Sequence, residues 1–361
     1  MSTAATKSNL CRGLKRLWVS CLAGANVTTV LLLWAVCLSV YLEPSEHPRL
    51  AQAGLLFPVL LFVNVAFVVV WIATSWRWIA ISVIGLVCCS NFVLDYWSIN
   101  VPKDAPEGTV HVLTYNVHYM AEDPSDSIDS DKIIDFIVGS NADIICLQEY
   151  AEKSTKGVLL NNKLDSMGYA TNSSGELLIA SRLPFVDEQA CRSDYSGNGR
   201  MACRVTNGND TLLVINVHLQ SNHISVEEKQ DYSLALKNKD EHLLKSSGRI
   251  VLSRLMAAAS KRQQQTDSIC DFIRQNCGER ILLCGDMNDT PISYTYNRFS
   301  SLLKNTWRES GWGAGISFNG TGFPVHIDHI FVSKDIDSFD ARVDRSVASS
   351  DHYPVLVRIQ L

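Results

Sequence analysis

Polar residues of the kinds that take part in acid–base and metal chemistry border short apolar runs in the second part of the chain. The runs are four to eight residues long and rich in β-branched residues, which is typical of buried strands. The polar residues in or next to these runs are Asn116, Glu149, Asn216, His218, Asp286, Asn288, Asp328, Asp351 and His352. Because the ends of neighbouring strands meet at one edge of a sheet, we expect these side chains to converge on one site.

This set of side chains suits the hydrolysis of a phosphate ester. A hard divalent cation such as Mg²⁺ binds carboxylate and carboxamide oxygens, and one or two protein carboxylates suffice because the cation keeps several waters. The cation stabilises charge on the phosphate oxygens, a carboxylate can deprotonate water, and an imidazole can donate to the phosphate or the leaving oxygen. The residues therefore predict a phosphoesterase that depends on Mg²⁺ or Mn²⁺.

Six short blocks that contain these residues resemble, in order, the signature blocks of the endonuclease/exonuclease/phosphatase superfamily, the deoxyribonuclease I-like proteins. The blocks are Tyr115-Asn116-Val117, Ile144–Glu149, Asn216–Leu219, Gly285–Asn288, Ile327–Ile330 and Ser350-Asp351-His352. The resemblance covers residues 110–361 and implies an α/β fold, a four-layer α-β-β-α sandwich with the site at the top of its two sheets. The N-terminal part of the chain lies outside the resemblance, although membrane-anchored bacterial members of that superfamily with this layout exist.

The resemblance also implies roles for the residues on the metal and water side of the site. Glu149 is expected to be the principal metal ligand, with Asn116 beside it and Asp351 in support. Asp286 is expected to orient or deprotonate the attacking water. Asn288 is expected to hold that water or a phosphate oxygen.

The imidazoles are expected on the phosphate side. His352 would contact the phosphate, and Asp328 would orient His352 and raise its basicity. His218 matches a histidine of the deoxyribonuclease, sphingomyelinase and 5-phosphatase branches and is expected to be catalytic. His118, shortly after the key asparagine, and Asn216 are expected to contact substrate, as is Asn288.

The first quarter of the chain has a very different composition. Of the 32 basic and 37 acidic residues, only six and three precede residue 98. The other 26 and 34 give residues 98–361 a net charge of −8, which is ordinary for a water-soluble domain. The mean hydropathy of +0.05 therefore combines an apolar first quarter with a polar remainder, and the composition excludes a disordered or fibrous protein.

Three stretches without charged residues predict a membrane anchor, because a bilayer requires about 20 apolar residues per helix. The predicted helices lie near residues 20–42, 53–75 and 78–97. Asn26 and Asn64 within them favour hydrogen bonds between helices. A cleaved signal peptide followed by a buried apolar hairpin is the alternative.

These boundaries predict an anchor at residues 1–97, a linker at 98–108 and a catalytic domain at 109–361. Four basic residues precede the first helix, so the positive-inside rule predicts a cytoplasmic N-terminus. Three spans would then place the catalytic domain on the extracytoplasmic or periplasmic side of an inner or cytoplasmic membrane.

An exported domain permits disulfides. Cys191 and Cys203 flank a glycine-rich stretch as a hairpin would, and Cys270 and Cys277 are seven residues apart on one predicted helix face. Both pairs are candidate disulfides.

The expected partners are the lipid bilayer and a phosphate-ester substrate, either a phospholipid or sphingolipid headgroup or a nucleic acid. The acidic domain has no stripe of basic residues, which weakens the case for nucleic acid without excluding it. No protein partner can be inferred. The alternative function is a catalytically inactive membrane protein that binds a phosphate ligand or transmits a signal.

Overall fold

The computed structural model describes residues 2–120, 129–186, 191–193, 199–208, 210–222, 241–320, 324–347 and 349–361. Within these residues the helices are α1 (Ser2–Leu38), α2 (Pro48–Ala51), α3 (Phe57–Thr74), α4 (Ile79–Cys88), α5 (Ser90–Tyr96), α6 (Ser130–Gly139), α7 (Thr155–Ser166), α8 (Glu241–Gln275), α9 (Tyr294–Leu302) and α10 (Thr306–Ser310). The strands are β1 (Ser98–Ile99), β2 (Val110–Asn116), β3 (Ile144–Gln148), β4 (Ala170–Ser174), β5 (Leu177–Ser181), β6 (Arg192–Ser193), β7 (Gly199–Thr206), β8 (Thr211–His218), β9 (Arg280–Asp286), β10 (Lys304–Asn305), β11 (Trp312–Gly313), β12 (Asp328–Val332), β13 (Asp337–Val343) and β14 (Val355–Gln360).

Two six-stranded sheets form the body of the second part of the chain. The first has the strand order β13-β14-β2-β3-β5-β4, and the second has the order β10-β12-β9-β8-β7-β6. Each sheet contains one parallel pair, β2 with β3 and β8 with β9, while its other pairs are antiparallel. The two sheets therefore share one pattern of strand pairing.

The alternation of side chains along the strands explains the layers. Val112 and Val214 point into an apolar core between the two sheets. Their neighbours point outward, Leu113 onto α6 and α7 and Leu213 onto α8 and α9. Since successive side chains of a strand face opposite sides, each sheet is buried on both faces. The structure confirms the predicted mixed α/β fold, with layers in the order helix, sheet, sheet, helix.

The two parallel pairs bring the ends of four strands to one edge of the sandwich. Asn116 pairs with Gln148 at the ends of β2 and β3, and His218 pairs with Asp286 at the ends of β8 and β9. Gly285 has a φ of 136°, and a Cβ there would lie 2.0 Å from a backbone oxygen of β8. Only glycine fits that approach, which sets Asp286 beside His218.

The N-terminal helices agree in part with the predicted anchor. Segments Arg12–Tyr41 and Pro48–Thr74 are long and apolar enough to cross a membrane. The third predicted helix is broken, because Trp76–Cys88 and Ser90–Tyr96 meet at an angle of 69°. Cys89 at the break has φ −112° and ψ 22°, outside the helical region. The serine and asparagine that follow it compete for backbone hydrogen bonds and favour a new helix start there.

Buried polar side chains hold the apolar helices together. Oδ1 of Asn26 on α1 accepts hydrogen bonds from Nε1 of Trp71 on α3 at 2.8 Å and from the hydroxyl of Ser82 on α4 at 3.0 Å. Nδ2 of Asn26 donates to Oδ1 of Asn64 at 3.4 Å. All four side chains are buried. The predicted hydrogen bonds between helices are therefore present, and they tie the first helix of the bent pair into the bundle.

One of the two candidate disulfides is formed. Cys191 and Cys203 are bonded, which ties the segment before β6 to β7. Cys270 and Cys277 are both free, so that pairing is wrong. Helix α8 ends at Gln275, which leaves Cys277 exposed beyond the helix while Cys270 is buried in it.

The anchor and the sandwich contact each other directly. The backbone N–H of Ser45 donates to Oε1 of Gln263 on α8 at 2.8 Å. Gly54 packs so closely on Ile292 that a Cβ at Gly54 would lie 1.9 Å from the Ile292 oxygen. At the other end of the anchor, Nδ2 of Asn100 donates to the oxygen of Gly311 at 2.8 Å.

The start of the predicted linker is a strand, because β1 pairs with β11. The contacts of Ser45, Gly54 and Asn100 with the sandwich involve the loop between the first two apolar helices and the chain just after α5. The loop between the first two apolar helices and the chain after α5 are thus both held against the sandwich.

Candidate active site

Asn116 connects two carboxylates at the upper edge of the sheets. Its Nδ2 donates to Oε1 of Glu149 at 3.1 Å and to Oδ2 of Asp286 at 3.0 Å. Its Oδ1 accepts from the backbone N–H of His118 at 3.0 Å, which fixes the orientation of the amide. The amide nitrogen therefore faces both carboxylates. This geometry suits Asn116 to orienting Glu149, and a direct contact of Asn116 with a metal stays a prediction.

Glu149 follows β3 in a left-handed conformation, with φ 50°. Two imidazoles stand near it: Nδ1 of His118 lies 3.4 Å from Oε2, and Nε2 of His218 lies 3.6 Å from Oε1. Burial pushes the pKa of Glu149 up, but the contact with His118 and the charge of His218 outweigh burial and hold the pKa at about 2. Glu149 is therefore a carboxylate ready to bind a cation.

His118 lies between Glu149 and Asp351. Its Nδ1 is 3.5 Å from Oδ1 of Asp351, and its pKa is raised, chiefly by the hydrogen bond with Glu149. His118, Tyr119 and Met120 all have left-handed backbones with φ between 46° and 57°. Such a run of non-glycine residues is strained, and strain of this kind concentrates at functional sites.

Asp286 is buried at the centre of the site. Its Oδ2 lies 3.6 Å from Nε2 of His352 and 3.8 Å from Nε2 of His218. Its Oδ1 accepts from the backbone N–H of Asn288 at 2.8 Å. Burial raises the pKa of Asp286 to about 6, although the charge of His352 opposes the shift. Asn288 has φ 51°, and its Nδ2 donates to the oxygen of Leu219 at 3.0 Å.

His352 and Asp328 form a buried pair. Nδ1 of His352 lies 2.8 Å from Oδ2 of Asp328, and the ring packs edge-on against Phe318. Burial lowers the pKa of His352, but the charges of Asp328 and Asp286 dominate and raise it to about 10. The hydroxyl of Ser317 accepts from the backbone N–H of Asp328 at 3.1 Å, which fixes the carboxylate that holds the ring.

Asn216 lies between the sheets instead of facing the open edge. Its Nδ2 donates to the oxygens of Leu147 and Leu178, both at 2.9 Å, and its Oδ1 accepts from Nε2 of Gln148 at 2.7 Å. All its hydrogen-bonding atoms are engaged and the side chain is fully buried. The predicted substrate contact at Asn216 does not fit this position, because the side chain of Asn216 points into the space between the sheets.

Asp286 and two residues beside it could hold a metal ion. Asp286, Asp328 and His352 present ligand atoms within 4.8 Å of one another. In this group Nδ1 of His352 already lies at hydrogen-bond distance from Asp328. A cation bound between them would displace that contact, so the geometry suits an imidazole held by its carboxylate better than a pair of ligands.

Glu149 and Asp351 are the predicted cation ligands, and Nδ1 of His118 lies between them, 3.4 Å from Oε2 of Glu149 and 3.5 Å from Oδ1 of Asp351. Both are partly exposed, and Oδ1 of Asp351 has no hydrogen-bond partner among the described residues. Carboxylate oxygens are ligands that suit Mg²⁺, which keeps several of its waters. The cation site at Glu149 and Asp351 therefore stays a prediction.

Three residues without a predicted role support the site. Gln148 holds Asn216 and also donates to the hydroxyl of Thr114 at 3.0 Å. The hydroxyl of Ser350 donates to the oxygen of Asn116 at 3.0 Å and accepts from the N–H of His352 at 3.2 Å. Gln148 and Ser350 both belong to the motif blocks, and a polar residue at a buried strand position was the available signal.

Arg262 is the third of these residues, and nothing in the sequence of α8 indicated its role. Its Nη1 donates to the oxygen of Gln220 and to Oδ1 of Asn222, both at 2.9 Å, and its Nε lies 3.5 Å from Asp289. The guanidinium thus joins the loops that follow β8 and β9. His329, beside Asp328, packs against Tyr296 next to the site.

Comparisons with known proteins give two matches to family models. Residues 113–352 match the model of the Endonuclease/Exonuclease/phosphatase family, and residues 19–96 match that of a domain of unknown function (DUF8431). Curated protein sequences give no significant match.

Solved structures of the same architecture are similar to this chain at low identity. An endonuclease/exonuclease/phosphatase from Bacteroides vulgatus is 17% identical, with a TM-score of 0.50 over 71% of this chain and 100% of that one. One from Beutenbergia cavernae is 18% identical, with a TM-score of 0.49 over 70% and 72%. The 3′ phosphatase NExo from Neisseria, bound to a product DNA hairpin, is 19% identical, with a TM-score of 0.48 over 70% and 100%. The likeness to the Bacteroides vulgatus protein concerns the fold alone.

The cross-sheet position of Asn216 makes a stability prediction. In Asn216→Ala the oxygens of Leu147 and Leu178 lose their donor inside the core, which should cost about 2 kcal/mol or more. For a domain of this size that loss lowers the unfolding midpoint by roughly 5 °C. The measurement is thermal unfolding of the detergent-solubilised chain, with Asn162→Ala on the exposed face of α7 as the control. Equal midpoints for the two variants would contradict the assigned role.

Proposed function

The chain belongs to the endonuclease/exonuclease/phosphatase family and is a metal-dependent phosphoric ester hydrolase, and from this premise we propose that it is a membrane-anchored phosphodiesterase using Mg²⁺ or Mn²⁺. One observation carries the proposal: the buried carboxylate of Asp286 lies 3.6 Å from the imidazole of His352 and shares the amide of Asn116 with Glu149. A base, a proton donor and a cation ligand thus converge on one point.

The cation is assigned to Glu149 and Asp351, with Asn116 orienting Glu149 through its amide nitrogen. When bound, the cation supplies positive charge for the phosphate oxygens. A cation bound by both carboxylates would displace Nδ1 of His118 from between them, and the displaced imidazole is assigned to the substrate side of the site.

Asp286 is assigned as the residue that takes the proton of the attacking water. Its pKa of about 6 leaves it ionised at neutral pH, yet basic enough to accept a proton. The backbone N–H of Asn288 occupies Oδ1, so Oδ2 is the oxygen that faces the imidazoles and the water. The amide of Asn288 is held by the oxygen of Leu219 and is assigned to holding that water or a phosphate oxygen.

The imidazoles are assigned to the phosphate. His352, with a pKa of about 10, is protonated at neutral pH, and Asp328 fixes its Nδ1 so that Nε2 faces the site. His218 presents Nε2 from the opposite side of Asp286. Two N–H donors around one carboxylate suit a phosphodiester whose oxygens gain charge as the water attacks.

A lipid headgroup is the favoured substrate. Ile292, which contacts Gly54 of the anchor, is only four residues after Asn288, so the site lies within about 14 Å of the anchor. The net charge of −8 on residues 98–361 disfavours a nucleic-acid backbone, which proteins usually meet with basic surface. Retention of Glu149, Asp286 and His352 argues against the inactive, ligand-binding alternative.

Three membrane crossings and an extracytoplasmic domain complete the proposal, with residues 1–97 as anchor and 109–361 as catalytic domain. The loop at Ser45 and the chain at Asn100 both contact the sandwich, so both lie on the same side of the membrane. Because Pro48–Thr74 leaves that side, the bent pair of helices must return to it. The Cys191–Cys203 disulfide agrees with an oxidising compartment, and the basic residues before the first helix favour a cytoplasmic N-terminus.

The enzyme assignment predicts the behaviour of single variants. The detergent-solubilised chain should hydrolyse a generic chromogenic phosphodiester with Mg²⁺ or Mn²⁺ and lose the activity in EDTA. Glu149→Gln and His352→Ala should each reduce the rate by about 100-fold or more, since each removes a cation ligand or a proton donor. Glu152→Gln, an exposed carboxylate three residues away, should keep the full rate. Equal rates in all four proteins would reject this site.

The same preparation distinguishes the substrates. Vesicles of sphingomyelin or phosphatidylcholine, single-stranded and duplex DNA, and soluble inositol phosphates are compared at equal phosphate concentration. A higher rate on the vesicles is expected. A higher rate on DNA would overturn the lipid assignment while leaving the chemistry of the site in place.

The topology predicts which C-terminal fusions function. Alkaline phosphatase, which requires export, should be active when fused after Leu361, whereas green fluorescent protein exported through the same route should stay dark. A fluorescent fusion with inactive alkaline phosphatase would contradict the extracytoplasmic placement and would favour only two crossings.

A further inference from the structure

Contrary to the expectation that the acidic domain has no stripe of basic residues, the described first part of α8 presents a basic face to solvent. Ile250, Arg254, Ala257 and Lys261 follow one another at intervals of four, three and four residues and therefore lie on one side of the helix. All four are exposed, and so is Arg249 beside Ile250. We call these five residues the α8 basic face.

The charge of this segment is opposite to that of the domain around it. Residues 246–266 contain four basic residues and no acidic one, whereas residues 98–361 as a whole have a net charge of −8. A helix that concentrates positive charge on an otherwise acidic domain is suited to an anionic partner.

The Lys261 end of the α8 basic face lies next to the membrane anchor. The hydroxyl of Ser260, the neighbour of Lys261, donates to the oxygen of Pro44 at 3.3 Å. Nε2 of Gln263 donates to Oε2 of Glu43 at 3.2 Å. The candidate span ends at Tyr41, so Pro44 is at most about 10 Å beyond it along the chain. Lys261 would therefore lie at the level of the headgroups of a bilayer that Arg12–Tyr41 crosses.

The fourth basic residue of the segment points the other way, toward the site. Arg262 is buried and joins Gln220, Asn222 and Asp289 in the loops after β8 and β9. One helix thus carries a basic face on its exposed side and supports the loops of Asn288 on its buried side. Contact of that face with a surface would hold the site at a fixed distance from it.

We infer that the α8 basic face lies on the bilayer and binds the headgroups of anionic phospholipids. The observations favour lipid over nucleic acid because Ile250 is an exposed apolar residue among the cations and because the face begins at the anchor. Basic amphipathic helices that combine these features lie in the membrane interface. The inference rests on the proposed membrane-anchored arrangement and adds a second, charge-dependent contact with the membrane.

The test is amide hydrogen exchange of the full chain in lipid nanodiscs. One set contains only phosphatidylcholine, and the other contains phosphatidylcholine with phosphatidylglycerol. Exchange of residues 246–261 should be slower by about fivefold or more in the anionic discs, and 0.5 M NaCl should remove the difference. Equal exchange in the two discs at low salt would overturn the inference.

Paired variants separate this contact from net charge. Arg254→Gln combined with Lys261→Gln should abolish the difference between the discs. Lys132→Gln combined with Lys163→Gln removes two charges from α6 and α7 and should leave the difference intact. If both double variants behave alike, the response comes from overall charge and the α8 basic face is not the contact.

Two further experiments distinguish a lipid surface from a nucleic-acid surface and separate this inference from the proposed function. If a DNA oligonucleotide protects residues 246–261 in phosphatidylcholine discs while phosphatidylglycerol does not, the face is a nucleic-acid surface and the lipid inference is overturned. Hydrolysis of the soluble chromogenic diester should be equal in wild type and both double variants. Absence of that hydrolysis in wild type would reject the proposed function, whereas the exchange result would still report on lipid binding.

Discussion

The burial of Asp286 is the constraint on which the site depends. A carboxylate removed from water is costly unless hydrogen bonds and positive charge compensate for the lost hydration. The carboxylate of Asp286 accepts hydrogen bonds from Nδ2 of Asn116 and from the backbone N–H of Asn288. Nε2 of His218 and Nε2 of His352 both lie within 3.8 Å of its Oδ2. Asn116 belongs to the first sheet and Asp286 to the second, so the carboxylate is compensated only when the sandwich is closed.

Hydrogen bonds between buried polar side chains and the backbone hold the two sheets in register. Asn216 of β8 reaches across to the oxygens of Leu147 and Leu178, and Gln148 returns a hydrogen bond to it. Such a network fixes the distance between β3 and β8. Glu149 is the residue after β3, and His218 is the last residue of β8. Their positions therefore follow from that distance.

The strand ends and their order could be predicted from the sequence, because polar residues next to buried apolar runs are visible in one dimension. The direction of an individual side chain could not. Asn216 sits in a motif block, but its place within β8 turns it toward the other sheet. The break at Cys89 and the separation of Cys270 from Cys277 depend on where helices end, which a few local hydrogen bonds decide.

The docking of the anchor was equally hidden, since residues more than 200 positions apart meet there, as Ser45 and Gln263 do. Periodicity reports which face of a helix is buried and not which segment covers it. Once docked, the anchor does more than tether a domain. It holds the loop of Asn288 against the apolar helices through Gly54 and Ile292, and α8 connects that loop to the chain just after the first apolar helix.

We propose that the cation binds on the Glu149 side and that Asp328 holds the imidazole of His352. Calorimetric titration of Mn²⁺ into the detergent-solubilised chain tests it most directly. Glu149→Gln should weaken binding by about tenfold or more, while His352→Asn should bind Mn²⁺ as wild type does. The reverse result, with binding lost in His352→Asn and kept in Glu149→Gln, would place the cation among Asp286, Asp328 and His352 and contradict the account.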